Sequence, residues 1–177
     1  LSSSNRRGWP WNYETNNIVA VTHGGYRLVL GARLQFDHMG ETRFVAGGHS
    51  VEFRANVALL SSNVVVQGET TFSRLDRHGG QIFIHSREGG HSIIDQSKGN
   101  SLTVRIDNAE VRYAGQFARL GRYPIHFHMS GVVSNSYVKH TRIHHTYHRC
   151  IAIHGVHYLR FTDNVCMENM GCLLYTS

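Results

Sequence analysis

A tetrapeptide that returns along the chain constrains the fold most: isoleucine, any residue, an apolar residue, histidine. It stands as Ile82-Phe83-Ile84-His85, Ile125-His126-Phe127-His128 and Ile151-Ala152-Ile153-His154, at intervals of 43 and 26 residues. A looser copy without the histidine, Leu173-Leu174-Tyr175-Thr176, follows 22 residues later. Between and before these lie other short runs rich in β-branched and aromatic residues, among them Ile18–Val21, Tyr26–Leu30, Ser50–Arg54, Asn63–Val66, Leu102–Ile106 and Tyr158–Phe161. Gly, Asn, Asp or Ser usually bounds them, which is the pattern of strands separated by turns. No long stretch keeps a helical period, so the chain is expected to be all-β. Val111, Ile143 and Val165 close similar segments at steps of 32 and 22 residues. Steps near this length, with insertions, suit the rungs of a parallel β-helix, and on the order of six rungs are expected. A β-sandwich is the competing arrangement.

Stacked rungs have a chemical consequence. Side chains alternate faces along a strand, and neighbouring strands lie about 4.8 Å apart. Ile125, Phe127, Ile151 and Ile153 then face a core, while His126, His128 and His154 face outward. In register, His128 and His154 form a column, and Arg122, Tyr123 and Arg149 stand near it.

Hydrophobic residues make up 41% of the 177, enough for a core and too many for a disordered chain. Only 17% are charged, yet Lys and Arg outnumber acids 18 to 12, and 14 histidines add charge on acidification. A basic chain of this kind attracts polyanions, either acidic polysaccharide or nucleic acid. The basic residues are scattered and form no nucleic-acid motif, so nucleic acid is not expected as a partner. The apolar runs are too short to span a membrane, and no membrane insertion is expected. The chain starts at Leu1 with a polar stretch, which reads as an internal piece of a longer protein. Cys150, Cys166 and Cys172 form no CxxC, and three buried thiols are favoured over one disulfide.

At Gly121-Arg122-Tyr123-Pro124-Ile125-His126-Phe127-His128 the chain resembles the β-helix region of fibrocystin-L and the cell-surface hyaluronidases, the cell-migration-inducing and hyaluronan-binding group. Leu34-Gln35-Phe36-Asp37-His38-Met39-Gly40, the segment from Asn56 to Gly68, Ala114-Gly115-Gln116, Ser136-Tyr137-Val138, Ile143-His144-His145, Ile153-His154-Gly155 and Asn164-Val165 follow the same family's order. The resemblance implies a right-handed, single-stranded parallel β-helix of the pectin-lyase-like kind, here truncated, from an extracellular or cell-surface protein. It implies that residues 1–17 are a polar lead-in from a glycine-rich upstream domain and that 18–171 hold the repeats. The last six residues, 172–177, depart from the family pattern and are expected to be a non-native tail.

Three chemistries are open to the histidine-rich stretch. The first is binding of an anionic glycan such as hyaluronan by Arg122, Tyr123, His126, His128, His144, His145, Arg149 and His154. Guanidinium pairs with carboxylate in a planar fork, and tyrosine, Tyr147 included, offers a flat face to a sugar. The second is a metal held by His126, His128 and His154, although no carboxylate completes the set. The pattern specifies no cofactor, and no residue set calls for Ca²⁺. The third is polysaccharide hydrolysis, which needs two carboxylates roughly 5–10 Å apart. Acids are sparse here and no spacing pairs them, so enzymatic activity stays open. The contrasting reading is a structural rod of a cell-surface coat, joined to the rest of its own longer chain, with histidines serving as rung turns.

Overall fold

A computed structural model describes residues 13–86, 102–172 and 174–176. The chain divides into two compact units, one through Ala58 and one from Leu59.

The first unit is built of antiparallel ladders. Strand β1 (Ile18–Thr22) pairs with β2 (Arg27–Leu30) across a tight turn at His23–Gly25. Strand β3 (Thr42–Phe44) pairs with β4 (Ser50–Glu52). The Glu14 carboxylate ties the segment after β2, accepting from the Gln35 and Phe36 amides at 2.7 and 3.0 Å and lying 2.8 Å from His38 Nε2. These hairpins differ from the expected start of the repeats at residue 18. The alternating apolar pattern is common to hairpins and rungs, and only the partner strand distinguishes them.

Parallel pairing begins at β5 (Val64–Gln67). The strands that follow are β6 (Ile82–His85), β7 (Arg105–Asp107), β8 (Ala109–Arg112), β9 (Ile125–Val132), β10 (Tyr137–Lys139), β11 (Arg142–Thr146), β12 (Ile151–His157), β13 (Arg160–Thr162), β14 (Val165–Asn169) and β15 (Leu174–Thr176). One short helix, α1 (Phe72–Asp76), lies between β5 and β6. The strands fall into three parallel sheets, β7-β10-β13, β5-β8-β11-β14 and β6-β9-β12-β15. The chain visits the sheets in the same order on each circuit, which makes the unit a parallel β-helix. Four circuits are present among the described residues, fewer than the six expected.

The core is a set of one-residue-deep stacks. Ile106, Val138 and Phe161 stack in the first sheet. Val66, Val111, Ile143 and Cys166 stack in the second. In the third, Ile82, Ile125, Ile151 and Leu174 form one row, and Ile84, Phe127 and Ile153 another. Val111, Ile125, Phe127, Val138, Ile143 and Ile151 are fully buried. Because each strand pairs only with the strands of the adjacent circuits, stability accrues largely rung by rung. The register corrects two details. Ile143 pairs with Cys166 rather than Val165, and Leu174, not Leu173, continues the isoleucine row.

The corner between the first two sheets is made by one residue in the left-handed conformation on each of the last three circuits: Asn108, His140 and Asp163, with φ of 53°, 49° and 54°. Short polar side chains tolerate that region best. Asn164 then bridges circuits, its Oδ1 accepting from the Thr141 amide at 2.9 Å and its Nδ2 donating to the Val138 carbonyl at 2.8 Å.

Cys150 and Cys166 are joined in a disulfide, with Cα atoms 5.9 Å apart. This corrects the expectation of three buried thiols; the stacking brings the two residues together across the core, which their spacing along the chain does not reveal. Closing a loop of this size restricts the unfolded chain by about 3 kcal/mol in the chain-entropy account. Cys172 is free and exposed.

Candidate functional site

The outward row of the third sheet carries the recurring histidine. His85 pairs with His128, and His128 with His154. Their ring centroids are 5.6 and 5.0 Å apart, so three successive circuits present a continuous imidazole column. Phe83 and His126 occupy the neighbouring outward row, with centroids 5.2 Å apart. His126 lies 5.1 Å from His128 and 4.9 Å from the Tyr123 ring, and the Arg149 guanidinium is 5.8 Å from the Tyr123 centroid.

Each imidazole is oriented by a specific bond. His126 Nδ1 donates to the Gly121 carbonyl at 2.9 Å, and His85 Nδ1 donates to the His128 carbonyl at 3.0 Å. The Nε2 atom of each is then the lone-pair nitrogen, and protonation converts it to a donor. His128 and His154 meet Nδ1 to Nδ1 at 3.2 Å, so one ring donates and the other accepts while the contact holds. Burial pushes His126 below the ordinary imidazole value, opposed by the Gly121 carbonyl and reinforced by His128 and His154. Burial also lowers His128, with His154 and His85 adding to the effect. An anion lying against His126 and His128 would oppose this lowering, because it favours the charged ring.

A cleft of about 420 Å³ opens beside the column, lined by Gln81, Phe83, Leu120, Gly121, Arg122, His126 and His128. Arg122 is exposed, Phe83 is 48% exposed and Leu120 is 88% exposed. The arrangement offers a cation, imidazole donors and an apolar surface together, a combination suited to a polar ligand with flat hydrocarbon faces. Among the described residues, no carboxylate lines the cleft.

Six of the eight expected residues meet here: Arg122, Tyr123, His126, His128, Arg149 and His154. Two do not. His144 and His145 lie on β11, in the second sheet, because the corner after each circuit turns the chain to a new face. There His144 Nδ1 and His145 Nδ1 are 2.7 Å apart, His145 Nε2 lies 2.6 Å from Glu168, and His144 Nε2 is 3.3 Å from Glu110 without hydrogen-bond alignment. Glu110 is itself buried and paired with Arg112 at 2.9 Å. Burial lowers His144, and the charge of His145 adds to this. The tyrosines also differ from expectation. Tyr123 and Tyr147 are 3% and 6% exposed, so neither presents a face to a sugar, and His126, expected on the outer face, is 5% exposed and lies largely beneath its neighbours. The exposed aromatic ring beside the column is that of Phe83. His85 and Phe83 were legible in the first copy of the tetrapeptide but were not among the expected site residues. Among the described residues, no group of three or more His, Cys, Asp or Glu is placed to hold a metal ion.

The lowered histidines set a pH dependence. The ordinary imidazole value is 6.5, and His126, His128, His144 and His148 all lie below it in the fold, each through burial first. Between the two values the unfolded chain binds more protons, so stability is fully present above pH 6.5 and is lost as pH falls through the folded values. The melting temperature is expected to fall between pH 7 and pH 5. An unchanged or rising value across that window contradicts the burial of these rings.

Comparison with known proteins agrees with the architecture. Residues 87–177 match the family described as CEMIP beta-helix. Fibrocystin-L of Mus musculus is 30% identical over 195 aligned residues, covering 97% of this chain and 5% of that protein. Cell surface hyaluronidase CEMIP2 of Homo sapiens is 35% identical over 144 residues, covering 77% of this chain and 10% of its own length. The cell migration-inducing and hyaluronan-binding protein of Mus musculus is 34% identical over 163 residues, covering 85% and 11%. The chain therefore spans about a tenth or less of the relatives it matches. No helix among the described residues is long and apolar enough to cross a membrane. With its rungs, its register and this match over half its length, the chain belongs to the CEMIP beta-helix family.

Proposed function

We propose that this β-helix is a cell-surface module that binds an anionic polysaccharide, hyaluronan or a polymer of the same uronate chemistry, along the outer face of β6-β9-β12. The observation that carries the reading is the in-register column of His85, His128 and His154 beside a cleft holding Arg122 and the exposed Phe83 ring. Rungs repeat about every 4.8 Å. That step is about the length of one sugar in a chain, so a polymer lying along the column meets an imidazole at each unit. Carboxylate groups pair with Arg122 and with protonated imidazole, and Phe83 packs against a sugar face. Relatives named for hyaluronan binding and for hyaluronidase activity support this ligand class. The reading is one of binding, carried by the cation, the imidazoles and the exposed ring that line the cleft.

A second reading, a rod without a ligand, is favoured by the imidazole bonds to backbone. His126 and His85 each hold a main-chain carbonyl, and His140 serves as a corner residue. Retention on immobilised hyaluronan at low and high salt separates the two. The wild-type chain is expected to be retained at low salt and released as salt rises, because exposed charges are screened. Replacing His128 and Arg122 together by Ala is expected to weaken retention about tenfold, a loss of about 1.4 kcal/mol. Failure of the wild-type chain to bind at low salt favours the rod.

A further inference from the structure

Beside the cleft, two loops from successive circuits lie one on the other. The loop between β5 and β6 carries α1 and the residues up to Gln81; the loop between β8 and β9 runs from 113 to 124. Backbone bonds lock them together: the Gly79 amide donates to the Gly115 carbonyl and the Gly115 amide to the Gly80 carbonyl, both at 2.7 Å, and the Phe117 amide donates to the Arg77 carbonyl at 2.9 Å. His78 and Gln116 form a bridge between the same loops. The double loop is therefore a fixed wall.

This wall carries four exposed arginines, Arg74, Arg77, Arg119 and Arg122. Among the described residues the arginine ion pairs belong to Arg43, Arg54 and Arg112, and none of the four has a carboxylate in range. Two of the four are seated on aromatic rings. The Arg77 guanidinium lies 5.2 Å from the Phe117 centroid, and that of Arg74 lies 5.5 Å from Tyr113. Stacking fixes the guanidinium plane while leaving its N–H edges for hydrogen bonds, so less entropy is lost when an anion arrives. Of the acids nearby, Glu69 is committed to the Thr71 and Phe72 amides. The wall is continuous with the cleft, because Leu120, Gly121 and Arg122 line both.

We infer that the arginine-bearing double loop is a second anion-binding site, taking the anionic groups of the same extended polysaccharide whose neighbouring stretch lies in the histidine cleft. The inference rests on the proposed polysaccharide reading and divides the labour within it. Guanidinium stays charged at every physiological pH, whereas imidazole gains charge only on acidification. The wall anchors the polymer at neutral pH, and the histidine column adds to the grip as pH falls.

The test compares three forms of the chain for binding to hyaluronan, which carries carboxylates alone, and to heparin, which also carries sulfate, at pH 7.5 and 5.5. The forms are the wild type, an Arg74→Ser/Arg77→Ser/Arg119→Ser variant and a His128→Ala/His154→Ala variant. The arginine variant is expected to weaken binding about tenfold or more at pH 7.5 to at least one polymer, while keeping its gain on acidification. The polymer affected identifies carboxylate or sulfate as the group held at the wall. The histidine variant is expected to keep most binding at pH 7.5 and lose the gain. Arg119→Ser alone, with an expected partial loss, serves if the triple variant fails to fold. Wild-type affinity of the arginine variant for both polymers at pH 7.5 overturns the inference and leaves the histidine reading intact. Absence of wild-type binding to either polymer overturns both. Arginine-dependent binding to phosphatidylserine vesicles with unchanged polysaccharide affinity also overturns it, and assigns the wall to an anionic membrane surface instead.

Discussion

Gly79→Ala is expected to destabilise the β-helix by about 3 kcal/mol or more, while Gly80→Ala beside it changes stability by less than about 0.5 kcal/mol. A methyl group built on Gly79 would lie 1.9 Å from the Tyr113 carbonyl oxygen and 2.7 Å from the Ala114 Cα. Both are backbone atoms of the next circuit, held in place by the Gly79–Gly115 and Gly115–Gly80 bonds, so the clash has no flexible side chain to absorb it. At Gly80 the same methyl meets nothing within 4 Å. Thermal unfolding of the two variants gives the comparison. For a domain of this size the Gly79 change corresponds to a drop of roughly 6–12 °C. Equal melting temperatures for the pair contradict the close approach of these two loops, and with it the wall on which the arginines stand.

Phe127→Ala is expected to cost about 3–5 kcal/mol. The ring is fully buried and lies in register between Ile84 on one circuit and Ile153 on the next, so its removal opens a cavity that two neighbouring rungs share. Phe83→Ala is the informative contrast. That ring sits on the same sheet one row over, faces outward and is 48% exposed. Its loss should leave the melting temperature nearly unchanged and weaken polysaccharide binding. A large stability loss for Phe83 with a small one for Phe127 would reverse the assignment of faces on which the site depends.

The third sheet was the part most legible in the sequence. A four-residue unit with a fixed inward pair and a histidine at its end specifies both a face and a register, because one-residue slips would turn the isoleucines to solvent. His128 and His154 accordingly stand side by side, and Ile125, Phe127 and Ile151 are buried. The corners were not legible. Loops of unequal length separate the circuits, so distance along the chain does not report which sheet a residue joins. Spacing along the chain therefore groups His144 and His145 with the other candidate histidines although they lie in another sheet, and it does not reveal that Cys150 and Cys166 are bonded. The tyrosines failed for a related reason. Tyr123 follows an exposed arginine, but the loop folds it beneath His126 and His148, with ring centroids at 4.9 and 4.6 Å. The hairpins of the first unit share the strand composition of the rungs, and only their antiparallel partners separate them.

The most direct test of the column as a recognition surface is the titration of the His128 and His154 rings by NMR, in the free chain and with saturating hyaluronan. In the free chain His128 is expected to titrate below 6.5, lowered by its burial and by the imidazoles on either side. Bound carboxylates favour the charged ring, so the polysaccharide should raise that midpoint and move the His154 signal with it. Titration curves that superimpose with and without bound polysaccharide would show that the ligand lies elsewhere, and that these stacked rings serve the rungs alone.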